Sequence, residues 1–312
     1  MTTLLVSHSD CLYHDTSPGH PESPDRLRAV MDALEAAEFG ALVREDAPTA
    51  TDEQLLRAHP QEVLSMIAGA VDESALEGYC HIDADTVVSP GSFLAARRAA
   101  GAVCHAVGAV ALGEAGNAFC AVRPPGHHAE SRRPMGFCLF NNIVIGALEA
   151  RAVHGLRRVA VVDFDVHHGN GTQELFAADP DLFYASTHQS PLYPGTGMAS
   201  ETGVGNILNL PLGAGSGGEA LRRALAKEIF PALEAFGPDL LMISAGFDGH
   251  RNDPLAGLAF DEDDFESATD MLCEAAQRLC EGRVVSTLEG GYNLTDLAAS
   301  AAGHVRALMR HG

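Results

Sequence analysis

Residues 157–172, RRVAVVDFDVHHGNGT, place two carboxylates and two imidazoles directly after the apolar run Val159 to Val162. Side chains alternate along an extended chain, so Asp163, Asp165 and His167 share one side and Asp165 and His167 can reach one ion together. Carboxylate oxygen and imidazole nitrogen, with room for a third ligand, suit an open catalytic metal site. Asp248, in SAGFDGHRNDP, follows another apolar run and a Gly-Phe turn and is the natural third ligand. Zinc on Asp165, His167 and Asp248 would keep a position for water and lower that water's pKa toward ~7. The plain alternatives are a solvated Asp/His turn for the first stretch and a helix cap for Asp248.

His127 and His128 follow Pro124-Pro125-Gly126, a rigid turn that fixes two adjacent rings. Adjacent imidazoles chelate one ion poorly, whereas a hydrolase needs a base for water and an acid for the leaving amine. Asp163 and Asn170, left free by the metal, are their expected orienting partners. A carboxylate favours the imidazolium more than an amide does, which would separate the two pKa values. Tyr292, behind Gly290-Gly291 on an expected mobile turn, could donate to an oxyanion formed on a carbonyl. Each group also has an ordinary reading, as surface histidines or a half-buried tyrosine.

These residues must be delivered by a scaffold. Apolar strand patterns fall at 3–7, 118–122, 159–162, 182–187, 206–210, 240–244 and 284–288. Helical spacing covers 25–38, 52–70, 92–112, 140–153, 218–236, 262–281 and 295–310, with Asp261 as a plausible N-cap. Residues 77–91 read as a long loop of the kind that borders a site. Alternation of this sort predicts an α/β fold, a single-domain three-layer sandwich with a mostly parallel sheet, spanning residues 1–312. Ligands in such sheets bind beyond the carboxyl ends of the strands. Four of those ends release RPPGHHAE, DFDVHHGN, SAGFDGHRNDP and EGGYN, and packing alone gives no reason for all four.

Composition narrows the partners. The net charge is −22, with Lys227 the one lysine, so direct binding of nucleic acid is disfavoured and a cationic substrate is attracted. Seven scattered cysteines without a C-x-x-C read as reduced thiols of a cytoplasmic protein. No apolar run approaches the ~18 residues of a membrane span, and the start lacks the pattern of a secretion signal.

Taken together, GHPESPDRL at 19–27, RPPGHHAE at 123–130, GFCLFNNIVIGA at 136–147, VDFDVHHGNGTQ at 162–173, YPGTG at 193–197, SAGFDGHRNDPLAGL at 244–258 and LEGGYN at 288–293 resemble the zinc-dependent histone deacetylase family, its class II branch and bacterial relatives. The resemblance implies the arginase-deacetylase fold, with about eight strands. It implies zinc on Asp165, His167 and Asp248, a base and acid in His127 and His128 with His128 the proton shuttle, and a carbonyl-polarising Tyr292. Gly136, Phe137 and Tyr193 would line a narrow tunnel, and Arg26 resembles an arginine near its inner end. A structural potassium ion would rest on Asp163, Asp165, His167, Ser186 and Thr187, mostly through backbone oxygens, and a second on Phe176, Asp179 and Leu182.

The implied substrate is an acylated lysine of a peptide or protein, with acetylpolyamine as the alternative. Polyamine-preferring relatives can carry a glutamate after the D-P near the third ligand; here Leu255 follows Asp253-Pro254. A two-manganese ureohydrolase on this fold would need D-x-D, whereas Asp248 is followed by Gly249 and His250. A binder of acylated tails without catalysis could dispense with some of these groups, and none is missing. Iron suits such a site as well as zinc, and a homo-oligomer is compatible with the sequence.

Overall fold

In the computed structural model, which describes residues 2–312, the apolar runs and their carboxyl-end motifs are drawn into one sheet. In chain order the first half comprises β1 (Thr3–Ser7), α1 (Pro24–Ala33), β2 (Val43–Asp46), α2 (Asp52–Leu56), α3 (Gln61–Glu77), β3 (Cys80–His81), β4 (Val87–Val88), α4 (Ser92–Ala111), β5 (Asn117–Cys120) and α5 (Asn142–His154). The second half comprises β6 (Val159–Asp163), α6 (Asn170–Phe176), β7 (Leu182–Gln189), β8 (Ile207–Leu212), α7 (Gly218–Ala224), α8 (Phe230–Phe236), β9 (Leu240–Ala245), α9 (Glu262–Leu279), β10 (Val284–Leu288) and α10 (Leu294–His311).

Among the described residues, eight strands form the main sheet in the order β2-β1-β5-β10-β9-β6-β7-β8, and every neighbouring pair is parallel. Parallel neighbours need crossover connections, which the helices supply. Every residue of β5, β6, β9 and β10 is buried, so both faces are covered, and continuous apolar runs follow from that. The consequence for function lies in the order: β5, β10, β9 and β6 are contiguous. The four motif-bearing carboxyl ends are therefore neighbours on one rim.

The local differences from the sequence reading have simple causes. Strand β2 shows no alternation because all four residues, VRED, are exposed; it is an edge strand, and charge there discourages pairing with other chains. The helix expected at 52–70 is two helices, with a Thr51–Gln54 capping box starting the first and Pro60 capping the second. Residues 77–91 contain a two-stranded antiparallel pair, Cys80 opposite Val88 and His81 opposite Val87. The helix expected at 218–236 carries a π-turn, Leu225–Ile229, between α7 and α8. Asp261 does cap α9, in a reciprocal box with Asp264.

Away from the rim, His304 of α10 joins α9 to β10. Its Nδ1 lies 2.7 Å from the Thr269 hydroxyl and its Nε2 lies 2.8 Å from that of Ser286. Thr269 donates to the Phe265 carbonyl, so it accepts from Nδ1–H, and Ser286 donates to Nε2. The ring is neutral, and burial lowers its pKa to about 3. An unfolded histidine titrates near 6.5, so acid protonates the unfolded chain first and stability falls as pH drops through that value. Between pH 7 and 5 this group costs about 2 kcal/mol. Urea unfolding of wild type and His304→Gln at the two pH values should bring their stabilities about 2 kcal/mol closer at pH 5. An equal gap at both pH values would contradict this assignment.

Candidate active site

Beyond β6, the chain turns so that Asp165 and His167 meet Asp248 from the loop after β9. His167 Nδ1 lies 3.0 Å from Asp248 Oδ2 and 3.3 Å from Asp165 Oδ1. All three side chains are buried, and their donor atoms fall within 4.8 Å of one another. Backbone donors aim the carboxylates. Asp165 accepts from the N–H groups of His167 and Gly290, both at 2.8 Å, and Asp248 accepts from that of Val166 at 2.9 Å.

Space around the trio is reserved by missing side chains. A Cβ at Gly246 would overlap the Asp165 carboxylate, and one at Gly290 would overlap that of Asp248. Burial would lower the His167 pKa, but the two carboxylates outweigh it and raise it to about 10. Burial would likewise raise Asp165, which His127 and His167 pull well below the usual carboxylate range. A pair of carboxylates that pulls a positive charge onto its imidazole fits a divalent cation by geometry and by donor chemistry.

The histidine pair sits on the turn after β5, with ring centroids 4.0 Å apart. His127 Nδ1 bonds Asp163 Oδ2 at 3.0 Å, and the Tyr184 hydroxyl donates to that same oxygen. His128 Nδ1 bonds Asn170 Oδ1 at 2.8 Å. The Asn170 amide is fixed in that sense because its Nδ2 donates to Glu130 Oε1. His128 therefore carries its proton on Nδ1 and holds a lone pair on Nε2. Burial opposes charge on both rings. Asp165 and Asp163 overcome it at His127, raising its pKa to about 10, whereas His127 and His167 add to it at His128 and hold that ring well below the usual range.

A pocket of about 240 Å³ opens onto this cluster, lined by Asp85, His128, Gly136, Phe137, His167, Leu192, Tyr193, Leu255 and Tyr292. Aromatic edges narrow it: Tyr193 lies 5.2 Å from the His128 ring and Phe137 lies 5.8 Å from that of Tyr292. Phe137 holds a left-handed backbone, φ 68°, and its N–H donates to the Thr86 hydroxyl. Burial keeps the Tyr292 phenol protonated well above its ordinary value, against the pull of Arg26. Its loop is pinned, because the Tyr292 N–H donates to Asp253 at 2.7 Å.

Arg26 does not line the pocket. It is fully buried behind Tyr292, its guanidinium 4.8 Å from the ring centroid, and it bonds Glu22 and the carbonyls of Glu289 and Gly291. Asp163 and Ser186 are register partners on β6 and β7, and the buried Thr187 hydroxyl has no hydrogen-bond partner among the described residues. The carbonyls of Phe176, Asp179 and Leu182 converge at 2.6–3.0 Å on Asn206 Nδ2, so an amide fills the place considered for a second potassium. The sequence reading missed Asp85, Leu192, Glu130, Tyr184 and Glu289. Asp85 lies within 77–91, which the sequence marks only as a loop bordering a site, Leu192 directly precedes YPGTG, and Tyr184 reads as an ordinary strand residue.

A profile of the histone deacetylase domain matches residues 20–308. The chain is 40% identical to histone deacetylase 14, chloroplastic, of Arabidopsis thaliana, covering 98% of this chain and 76% of that protein. It is 40% identical to a histone deacetylase-like amidohydrolase of Pseudomonas aeruginosa, over 88% and 73% of the two chains. Among solved structures, the HDA15 HD domain superposes with a TM-score of 0.92 at 37% identity, covering 99% of this chain and 89% of that one.

Gly246→Ala should weaken divalent-cation binding by about 10- to 100-fold, since it displaces Asp165 while leaving every ligand in the sequence. Chelator competition with zinc, with circular dichroism to verify folding, measures this. Unaltered affinity would show that the cradle is looser than these contacts imply.

Proposed function

The chain belongs to the histone deacetylase family, and from that premise we propose that it is a zinc-dependent amidohydrolase removing acetyl or other acyl groups from lysine side chains. The observation that carries the reading is the buried Asp165–His167–Asp248 trio at the foot of a narrow pocket, with His128 and Tyr292 on its walls. A divalent cation held there supplies Lewis acidity, polarising the amide carbonyl and making water more acidic.

The remaining work falls to side chains whose hydrogen bonds support the protonation each role needs. His128 takes a proton from the attacking water at Nε2, where its lone pair lies, and returns it to the amine nitrogen as the C–N bond breaks. His127, kept positive by Asp163, stays protonated and favours negative charge developing nearby. Tyr292 donates a hydrogen bond from its hydroxyl to the carbonyl oxygen as that atom gains charge, keeping its own proton. Phe137, Tyr193, Leu255 and Gly136 admit a slender alkyl stem and exclude bulk water. Asp163, Asp165, His167, Ser186 and Thr187 are the residues that would hold a potassium ion, mostly through backbone oxygens, and that ion would neutralise charge at the end of β6. The Thr187 hydroxyl, without a hydrogen-bond partner among the described residues, supports it.

A second reading, an acetylpolyamine deacetylase using the same groups, is favoured by the Asp85 carboxylate in the pocket wall, which would attract a second amine. Leu255, apolar and in the same wall, favours acyl-lysine. Comparison of kcat/KM for an acetyl-lysine peptide and acetylputrescine separates the two, and Leu255→Glu should move the ratio toward the polyamine. A ratio that does not move would remove Leu255 from the argument.

Tyr292→Phe should lower kcat on the preferred substrate by about 100-fold or more, the scale of losing one oxyanion donor. Wild-type turnover in the variant would take the phenol out of the mechanism.

A further inference from the structure

Glu289, the residue after β10, is fully buried, and none of the steps above uses it. Among the described residues, its carboxylate meets only neutral donors at hydrogen-bond distance. Oε2 accepts from the N–H groups of Gly126 at 2.7 Å and His127 at 3.1 Å, and Oε1 accepts from the Ser244 hydroxyl at 3.3 Å. A carboxylate kept out of water costs stability even when hydrogen-bonded, so an apolar side chain would serve packing better. The two N–H groups it holds belong to the turn that carries His127 and His128. The main chain of Glu289 faces the other half of the site: its carbonyl accepts from Arg26 Nη2, and Arg26 also bonds the Gly291 carbonyl and lies against the Tyr292 ring.

We infer that Glu289 is a positioning residue, whose side chain fixes the histidine turn while its backbone fixes the Tyr292 loop, so that proton shuttle and oxyanion donor face one point. The inference rests on the hydrolase reading above and adds to it a link between two strand ends. The far side of the turn is already held, because the His127 carbonyl accepts from the N–H groups of Gly171 and Thr172. Without the carboxylate the turn keeps those bonds and can tilt about them. Misplacing a reacting group by about 1 Å costs on the order of 100-fold in rate.

The test measures kcat and KM for wild type, Glu289→Ala and Glu289→Gln on an acetyl-lysine peptide and on acetylputrescine. Glu289→Ala should lower kcat about 100-fold and leave KM within about threefold, because Phe137, Tyr193 and Leu255 are not disturbed. Glu289→Gln should recover to within about tenfold of wild type, since its amide oxygen can accept both N–H groups and its nitrogen can donate to Ser244. If the alanine variant does not fold, Ser244→Ala, which frees Oε1 alone, should lower kcat several-fold at constant KM. An unchanged kcat in Glu289→Ala, a change confined to KM, or a glutamine variant as slow as the alanine one would overturn the inference. An unchanged kcat in Ser244→Ala would do the same where the alanine variant cannot be measured. A wild type inert toward both substrates would instead overturn the hydrolase reading, and this inference with it.

Discussion

Two buried carboxylates closing on one imidazole form an arrangement that only positive charge holds together. Attraction between charges is strong in a poorly hydrated interior, and an unpaired carboxylate there is costly. Asp165 and Asp248 come from different strand ends and would separate without something between them. The backbone answers part of the demand: N–H groups of Val166, His167 and Gly290 point at these oxygens. The rest is met by a charge on or beside His167. Gly246 and Gly290 follow from the same requirement, since a side chain at either position would fill the space the carboxylates occupy.

From that constraint the proton placement follows. Negative charge at Asp165 and Asp163 draws a proton to His127 despite its burial, and burial together with positive charge at His127 and His167 keeps one from His128. Two neighbouring histidines on one turn thus take opposite states, one charged and one neutral. The neutral ring has its tautomer fixed through Asn170 and Glu130, which leaves Nε2 free to accept. A sheet whose motif-bearing strands are adjacent is what brings these groups within a few ångströms.

The sequence made the central cluster of side chains legible because its residues fall at strand ends and strands have a clear apolar signature. Period-2 counting put Asp163, Asp165 and His167 on one side, but β6 ends at Asp163 and a turn, not a strand, delivers Asp165 and His167. The partners of His127 and His128 are Asp163 and Asn170, the two residues that the metal left free. Position across the sheet was not legible. No local pattern says that β10 lies between β5 and β9, so Glu289 gave no sign of reaching the histidine turn. Arg26 illustrates the reverse: its resemblance pointed toward the tunnel, yet it is sealed behind Tyr292, where burial depends on packing that no motif encodes. The edge strand β2 escaped notice because three of its four residues are charged and all four are exposed, and Pro60 starts a second helix where periodicity alone would have continued the first.

The central claim is that Asp165, His167 and Asp248 grip a single cation. A crystal of the protein as isolated, measured above and below the zinc and iron absorption edges, tests it most directly. One anomalous peak is expected, about 2 Å from one oxygen of each carboxylate and from the imidazole nitrogen. No peak between those three side chains after zinc is supplied, or a metal bound elsewhere through cysteine sulfur, would contradict it.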